Sequence, residues 1–286
     1  MERRPGSPMR IDAHQHFWIY NPGEYGWISG EMEELKRDFL PPDLKPLLDA
    51  AGIDGCVAVQ ACHTVDETRW LLGLSHRYDF IRGVVGWVDL CAPDVEAQLE
   101  PLAADRKFLG VRHVVQAEPD DWFLLREDFC RGIAALARFN LAYDILVFPR
   151  QLPAAIDFAA QFPDQRFVLD HIAKPPIAAA ELEPWATQIR ELARLPNVFC
   201  KLSGMVTEAD WKQWRADDFR PYLDVVLQAF GPQRLMIGSD WPVCMLSAGY
   251  RDVLRIVTDF IAELSPAEQD AILGGACARF YRLEKD

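Results

Sequence analysis

Residues 153–172 read PAAIDFAAQF, then PDQ, then RFVLDHI, and the order of these three pieces decides the fold. Pro153–Phe162 is a helix candidate, Phe162-Pro163-Asp164 closes it because proline cannot continue a helix, and Arg166–Ile172 is a short strand candidate. The same alternation runs outward in both directions. Upstream strand candidates are Ile11–Trp18, Gly55–Ala61, Ile81–Leu90, Phe108–Gln116 and Ala142–Val147; downstream ones are Val198–Gly204 and Leu235–Pro242. Helix candidates lie between them at Asp66–Tyr78, Glu127–Phe139 and Phe219–Phe230, and Phe129, Ile133, Leu136 and Ala137 mark one helical face of the second. Gly52, Leu195-Pro196-Asn197 and Gly231-Pro232 stand as further stop signals, and Ser265-Pro266-Ala267-Glu268 is a capping box that opens a final helix.

Strands that alternate with helices and never with hairpins pair in parallel through crossover units. Eight such units predict an α/β protein built as a closed (β/α)8 barrel. A doubly wound open sheet is the alternative, but no Gly-x-Gly-x-x-Gly follows the first strand. No internal linker interrupts the pattern, so residues 10–286 are expected to form a single domain behind a loose polar tail, residues 1–9.

Composition narrows the class. Of 286 residues, 50% are hydrophobic and 26% charged, the profile of a soluble protein with a sizeable core. No apolar run of about 18 residues is present, and Met1–Pro8 lacks the apolar stretch of a secretory signal, so no membrane partner is expected. A net charge of −13 without a basic cluster argues against nucleic acid. The seven cysteines are scattered, odd in number and never paired as C-x-x-C, which points to a reducing, cytoplasmic setting. Nothing in the sequence decides between a monomer and a homo-oligomer.

In a barrel of this kind chemistry sits at the C-terminal ends of the strands. Asp12-Ala13-His14-Gln15-His16 ends the first. Residues two apart share a face of a strand, so Asp12, His14 and His16 are expected to point together into the barrel mouth. Two imidazoles there suit one divalent metal such as zinc. His171 ends the sixth strand, with Asp170 expected to face the opposite way. Alone, such a histidine is more often a hydrogen-bonded core residue than a ligand. Leu235–Asp240 is an apolar run ending in a carboxylate, and no helical pattern begins before Tyr250, so capping explains Asp240 poorly. Three histidines, a carboxylate and a metal at one barrel end read as hydrolysis. Cys62-His63 suggests a thiol nucleophile only weakly, because no second His or carboxylate is tied to it by spacing.

These segments resemble the amidohydrolase superfamily, and within it the amidohydrolase-2-like lactonases that act on sugar acids. IDAHQHFW (11–18), GVRHVVQ (110–116), LDHIAKP (169–175), CKLSG (200–204) and IGSDWPV (237–243) carry the resemblance, in order, over residues 10–283. It implies a TIM barrel that opens an aldonolactone, such as L-fuconolactone or L-rhamnonolactone, to the sugar acid. His14, His16 and His171 would bind the metal or polarise the carbonyl, with Asp240 as a further ligand and the base that activates water. The sequence departs from the wider superfamily in two places. Tyr143-Asp144 stands where many members carry a fifth-strand metal-binding His, and Arg112-His113 offers no lysine for a carbamate bridge. A single metal, loosely held or dispensable, is therefore expected, with His113 available as the polarising group. Trp27, on the long loop from Ile19 to Pro41, would join Trp87, Lys174, Lys201 and Trp241 in holding the sugar, by stacking or by donating to hydroxyls.

Two rivals remain on the sequence alone. A metal-dependent decarboxylase of the same superfamily would use the same strand ends but usually needs the fifth-strand His. A non-catalytic sugar-acid binding protein would hold its ligand without consuming it.

Overall fold

The strand–helix alternation seen around residues 153–172 extends around the whole molecule. The computed structural model describes residues 8–283, so residues 1–7 of the expected tail and the last three of the expected domain lie outside the description. Strands β1 (Ile11–Gln15), β2 (Gly55–Val59), β3 (Ile81–Gly86), β4 (Phe108–His113), β5 (Ala142–Ile145), β6 (Phe167–Leu169), β7 (Val198–Leu202) and β8 (Leu235–Ile237) form one sheet in chain order. Every neighbouring pair is parallel. Helices α1 (Pro41–Ala51), α2 (Val65–Arg77), α3 (Val95–Ala103), α4 (Glu127–Arg138), α5 (Leu152–Gln161), α6 (Trp185–Leu192) and α7 (Ala216–Phe230) connect the strands. Three more follow β8: α8 (Tyr250–Phe260), α9 (Pro266–Asp270) and α10 (Ala276–Tyr281). The Ser265 box opens α9 as expected, Ser265 Oγ accepting from Glu268 N and Glu268 Oε2 from Ser265 N at 2.9 Å.

The sheet closes at its rim, beside the candidate site. Gln15 bridges Trp241 in parallel, Asp240 N donates to His14 O at 2.8 Å and His16 N to Trp241 O at 2.7 Å. The (β/α)8 barrel is therefore complete and forms a single domain.

Its interior is layered. Ile11, Ala13, Val57, Ala142, Val168 and Met236 come from strands all round the sheet, yet share one buried cluster with Cys277, Phe280 and Tyr281 of α10. Only the lumen lets those strands meet, so α10 plugs its N-terminal end. A second, larger cluster lies between the sheet and the surrounding helices. Each fully buried Val, Leu, Ile or Phe in these layers contributes about 1.5–3 kcal/mol.

The strands are shorter than their apolar runs predict, because the ladder stops where the chain turns to present the site. The left-handed residues His171, Ile172, Ala173 and Lys174 (φ 48–58°) follow β6, and Asp240 (φ 57°) follows β8. Non-glycine residues in this region are uncommon and cost of order 1–3 kcal/mol each. Here they aim the side chains that matter.

Candidate active site

Asp240 lies at the centre of the three histidines expected from the sequence. Its Oδ1 is 3.3 Å from His16 Nε2, 3.8 Å from His14 Nε2 and 3.9 Å from His171 Nε2. The Nε2 atoms of His14 and His16 are 3.2 Å apart, and the His14 and His171 ring centroids 4.4 Å. Two glycines in the motifs allow this crowding. A Cβ on Gly204 (φ 62°) would stand 2.4 Å from His171 Nδ1, and one on Gly238 2.8 Å from His14 Cβ.

The other ring nitrogens define what the site presents. His16 Nδ1 lies 2.8 Å from Val59 O, which can only accept, so Nδ1 carries a proton and Nε2 is the nitrogen turned toward Asp240. His171 Nδ1 is 2.9 Å from Ser203 Oγ. Burial holds His14 and His171 well below the usual histidine range, so both are neutral. For Asp240 burial works upward, but His171, His16 and Lys174 outweigh it and its carboxyl falls below the ordinary range. The result is an ionised, nearly buried carboxylate beside two histidines, His14 and His171, whose basicity burial has lowered.

Beneath it lies an ionic layer that the sequence did not announce. Asp170 Oδ1 is 3.0 Å from Lys201 Nζ and 3.3 Å from His14 Nδ1, and Oδ2 is 3.2 Å from Arg112 Nη1. The two Oδ1 contacts are at ion-pair distance, but their angles fall short of a hydrogen bond, leaving that oxygen without an aligned donor. Burial would raise Asp170, yet Lys201 and His14 carry it well below the carboxylate range. Arg112 is clamped by Gln60, Nε reaching Oε1 at 2.9 Å and Nη2 reaching Oε1 at 2.6 Å and the backbone O at 2.5 Å. Two cations, Arg112 and Lys201, thus balance two carboxylates, Asp144 and Asp170, and Asp240 remains above them as an extra negative charge.

This layer corrects several expectations. Asp170 does not face away from His171, because the left-handed turn at His171 breaks strand alternation and brings both side chains to His14. Asp12 does not lie under the histidines. β1 carries one extra residue between the pairs Asp12↔Cys56 and Gln15↔Ala58, so its alternation is reset. Asp12 instead accepts from Ser239 N and Oγ (2.9 and 2.6 Å) and Tyr250 OH (3.0 Å), pinning the tip of β8; burial pushes it up to about 6. Lys201 is 0% exposed with its ammonium held between Asp144 and Asp170, so it is not a donor to sugar hydroxyls. Trp241 is buried against Phe17 and Phe39 and offers no free face for stacking.

A second histidine group occupies the ends of β2, β3 and β4. The rings of Trp87, His63, His113 and Phe123 stack in sequence at centroid spacings of 5.4, 4.4 and 5.1 Å. Both nitrogens of His113 are engaged: Nδ1 accepts from Trp87 Nε1 at 3.3 Å and Nε2 lies 2.7 Å from Glu118 Oε1. His113 is therefore a poor polarising group in this arrangement and builds wall instead. His63 Nε2 accepts from Val114 N at 3.1 Å. Among the described residues no activating base contacts Cys62, and burial followed by Glu67 raises its thiol. Trp27 is 41% exposed on the loop after β1, its Nε1 donating to Ala61 O at 3.1 Å. Lys174 lies 3.3 Å from Glu208 Oε1, a carboxylate the sequence reading missed because no periodicity or motif marks it.

His14, His16 and Asp240 could hold a metal ion, as could His14, Asp170 and His171; all five residues are buried. The first set fits zinc well. Tetrahedral donors at zinc–ligand distances near 2.1 Å stand about 3.4 Å apart, against 3.2, 3.3 and 3.8 Å here. Arg112 Nη1, however, also lies 3.2 Å from His14 Nε2, so a metal must displace a fixed cation from that lone pair.

The chain is similar over nearly its whole length to known proteins. An L-fucono-1,5-lactonase from Burkholderia multivorans is 46% identical over 286 residues, covering 96% of each chain, and one from Burkholderia ambifaria is 40% identical over 284 residues with the same coverage. A crystal structure of an amidohydrolase from Burkholderia multivorans with bound zinc superposes with a TM-score of 0.92 at 46% identity, over 97% of this chain and all of that one. The Amidohydrolase family model matches residues 11–283, and the chain belongs to that family.

Proposed function

We propose that this protein hydrolyses a sugar-acid lactone of the L-fucono-1,5-lactone type to the open sugar acid, with Asp240 as the proton-transferring base. The observation that carries the reading is Asp240 itself, ionised and 3.3–3.9 Å from three imidazole nitrogens at the barrel mouth. The identity of 46% and 40% to two L-fucono-1,5-lactonases over nearly the whole chain supports the substrate class.

Asp240 takes a proton from water, whose oxygen attacks the lactone carbonyl carbon. The C–O bond to the ring oxygen then breaks, and Asp240 returns the proton to that oxygen. His171, with Nδ1 against Ser203, keeps its Nε2 toward the reacting atoms. His14, His16, His171 and Asp240 would hold one divalent metal, zinc by their donor set, which supplies carbonyl polarisation and a more acidic water when bound. The competition from Arg112 favours loose binding. Trp27, Trp87 and Lys174 are the groups we assign to the sugar, the tryptophans by stacking and the lysine by donating to hydroxyls. The seven cysteines are all free, which favours a reducing compartment such as the cytoplasm. No helix among the described residues is long and apolar enough to cross a membrane.

The decarboxylase alternative lacks its fifth-strand histidine. Asp144 stands there, tied to Lys201 at 2.5 Å and Tyr281 at 2.8 Å.

The test is Asp240→Asn, assayed with a panel of aldonolactones by proton release. Turnover should fall by at least about 10³-fold with the circular dichroism spectrum unchanged. Near-normal hydrolysis by that variant sinks the assignment.

A further inference from the structure

The phenol of Tyr281 sits in the apolar floor of the barrel, where its ring packs edge-on against Phe280 at 4.7 Å. Packing alone would be served by phenylalanine, so the hydroxyl needs its own account. It donates to Asp144, 2.8 Å from each carboxylate oxygen. Asp144 Oδ2 in turn lies 2.5 Å from Lys201 Nζ, which also lies 3.0 Å from Asp170 Oδ1 and 3.2 Å from His14 Nδ1. Asp144, Lys201, Asp170 and His14 are all fully buried, so none of them faces bulk solvent.

We propose that Tyr281 is a positioning residue for His14, acting from the C-terminal helix through Asp144 and Lys201. Two carboxylates share one ammonium, and its position depends on what else holds each of them. Asp170 has Arg112 as well. Asp144 takes its side-chain hydrogen bonds from Lys201 and the Tyr281 hydroxyl. Without that hydroxyl, Lys201 is drawn toward Asp144 and away from Asp170 Oδ1. Asp170 Oδ1 then pairs with His14 Nδ1 alone, and the His14 ring follows it. The Nε2 that the imidazole presents beside His16 and Asp240 loses its aim. Displacements well under 1 Å in such a site lower turnover without weakening ground-state binding.

The kinetic part of this inference rests on the lactonase reading; the spectroscopic part does not. In the full-length protein, Tyr281→Phe should shift the ¹⁵N imidazole resonances of His14, assigned by their loss in His14→Gln. The signals of His63 and His113 should stay in place. With lactone, kcat should fall about 10–100-fold at a KM within about twofold of wild type. Phe280→Leu, on the same helix, should lower the melting temperature and leave the His14 resonances unmoved. If Tyr281→Phe folds poorly, Asp144→Asn takes its place: it frees Lys201 toward Asp170 and must also move the His14 signals. Unchanged His14 resonances in a folded Tyr281→Phe, or in Asp144→Asn where it takes its place, or an equal shift in Phe280→Leu, overturns the proposal. Shifted resonances in a protein that hydrolyses no lactone would leave the positioning role standing and count against the lactonase reading alone.

Discussion

Two groups of histidines sit on the same barrel rim, and they do opposite things with the same side chain. His14, His16 and His171 turn their Nε2 atoms toward one carboxylate oxygen, all within 3.9 Å of it. His63 and His113 stack face to face, and their neighbours take up the nitrogens for which contacts are formed: Val114 N for His63, Trp87 and Glu118 for His113. Burial lowers the basicity of His14, His171, His63 and His113, so basicity does not separate the groups. What separates them is what the nitrogens converge on: three Nε2 atoms meet at one buried carboxylate oxygen in the first group, whereas in the second each ring is tied to its own separate neighbours and builds a wall.

Exchanging one residue in each group gives the largest contrast. His171→Gln should lower kcat by about 10²–10⁴-fold, whereas His113→Gln should cost less than about tenfold and mainly in KM. Steady-state kinetics on one lactone checks both, and equal losses in kcat would erase the distinction.

The next effect concerns how the second group is held. Glu67 of α2 accepts from Ala61 N at 3.0 Å and Cys62 N at 2.9 Å, just before His63, and from Tyr25 OH at 3.2 Å on the loop after β1. Burial pushes Glu67 up to about 7 from an ordinary 4.5. A raised carboxyl stabilises the fold fully below its unfolded pKa, and that contribution is lost as pH rises through the folded value. Between pH 5 and pH 9 the group should therefore cost about 3 kcal/mol of stability. Glu67→Gln should flatten that slope in urea unfolding at the two pH values, and a slope identical to wild type would contradict it.

Metal retention should divide the groups again. After dialysis, His14→Gln should bind zinc about 10–100-fold more weakly than wild type, and His63→Gln should bind it unchanged; titration with a competing chelator reads the difference. The smallest effect is at the outer edge. Trp27→Ala should raise KM a few-fold, by about 1 kcal/mol of lost stacking, with kcat unchanged.

The contrast between the groups was only half legible in the sequence. His14 and His16 stood out as a pair on one face of the first strand, His171 and Asp240 because each ends a strand candidate, and the structure brings them together. His113 looked like a spare electrophile because nothing local reveals that Trp87, 26 residues away, and Glu118 engage its nitrogens. Lys201 looked like a donor at the mouth for the same reason. Its partners Asp144 and Asp170 lie 57 and 31 residues earlier, and a charge near a strand end reads alike whether it is solvated or paired.

Local order along the chain determined the barrel itself. Periodicity, stop signals and the absence of hairpin turns are short-range properties, and they sufficed for eight parallel strands in chain order and for the rim to which the histidines belong. Only the closed tertiary structure decided which charges neutralise one another. The extra residue in β1, the left-handed turn after β6 and the plug of α10 bring Asp12, Asp170 and Tyr281 to partners that no strand alternation predicts. In a lumen closed to bulk solvent a charge needs a counter-charge or hydrogen bond from another strand, so pairing there is a property of the barrel and not of any segment.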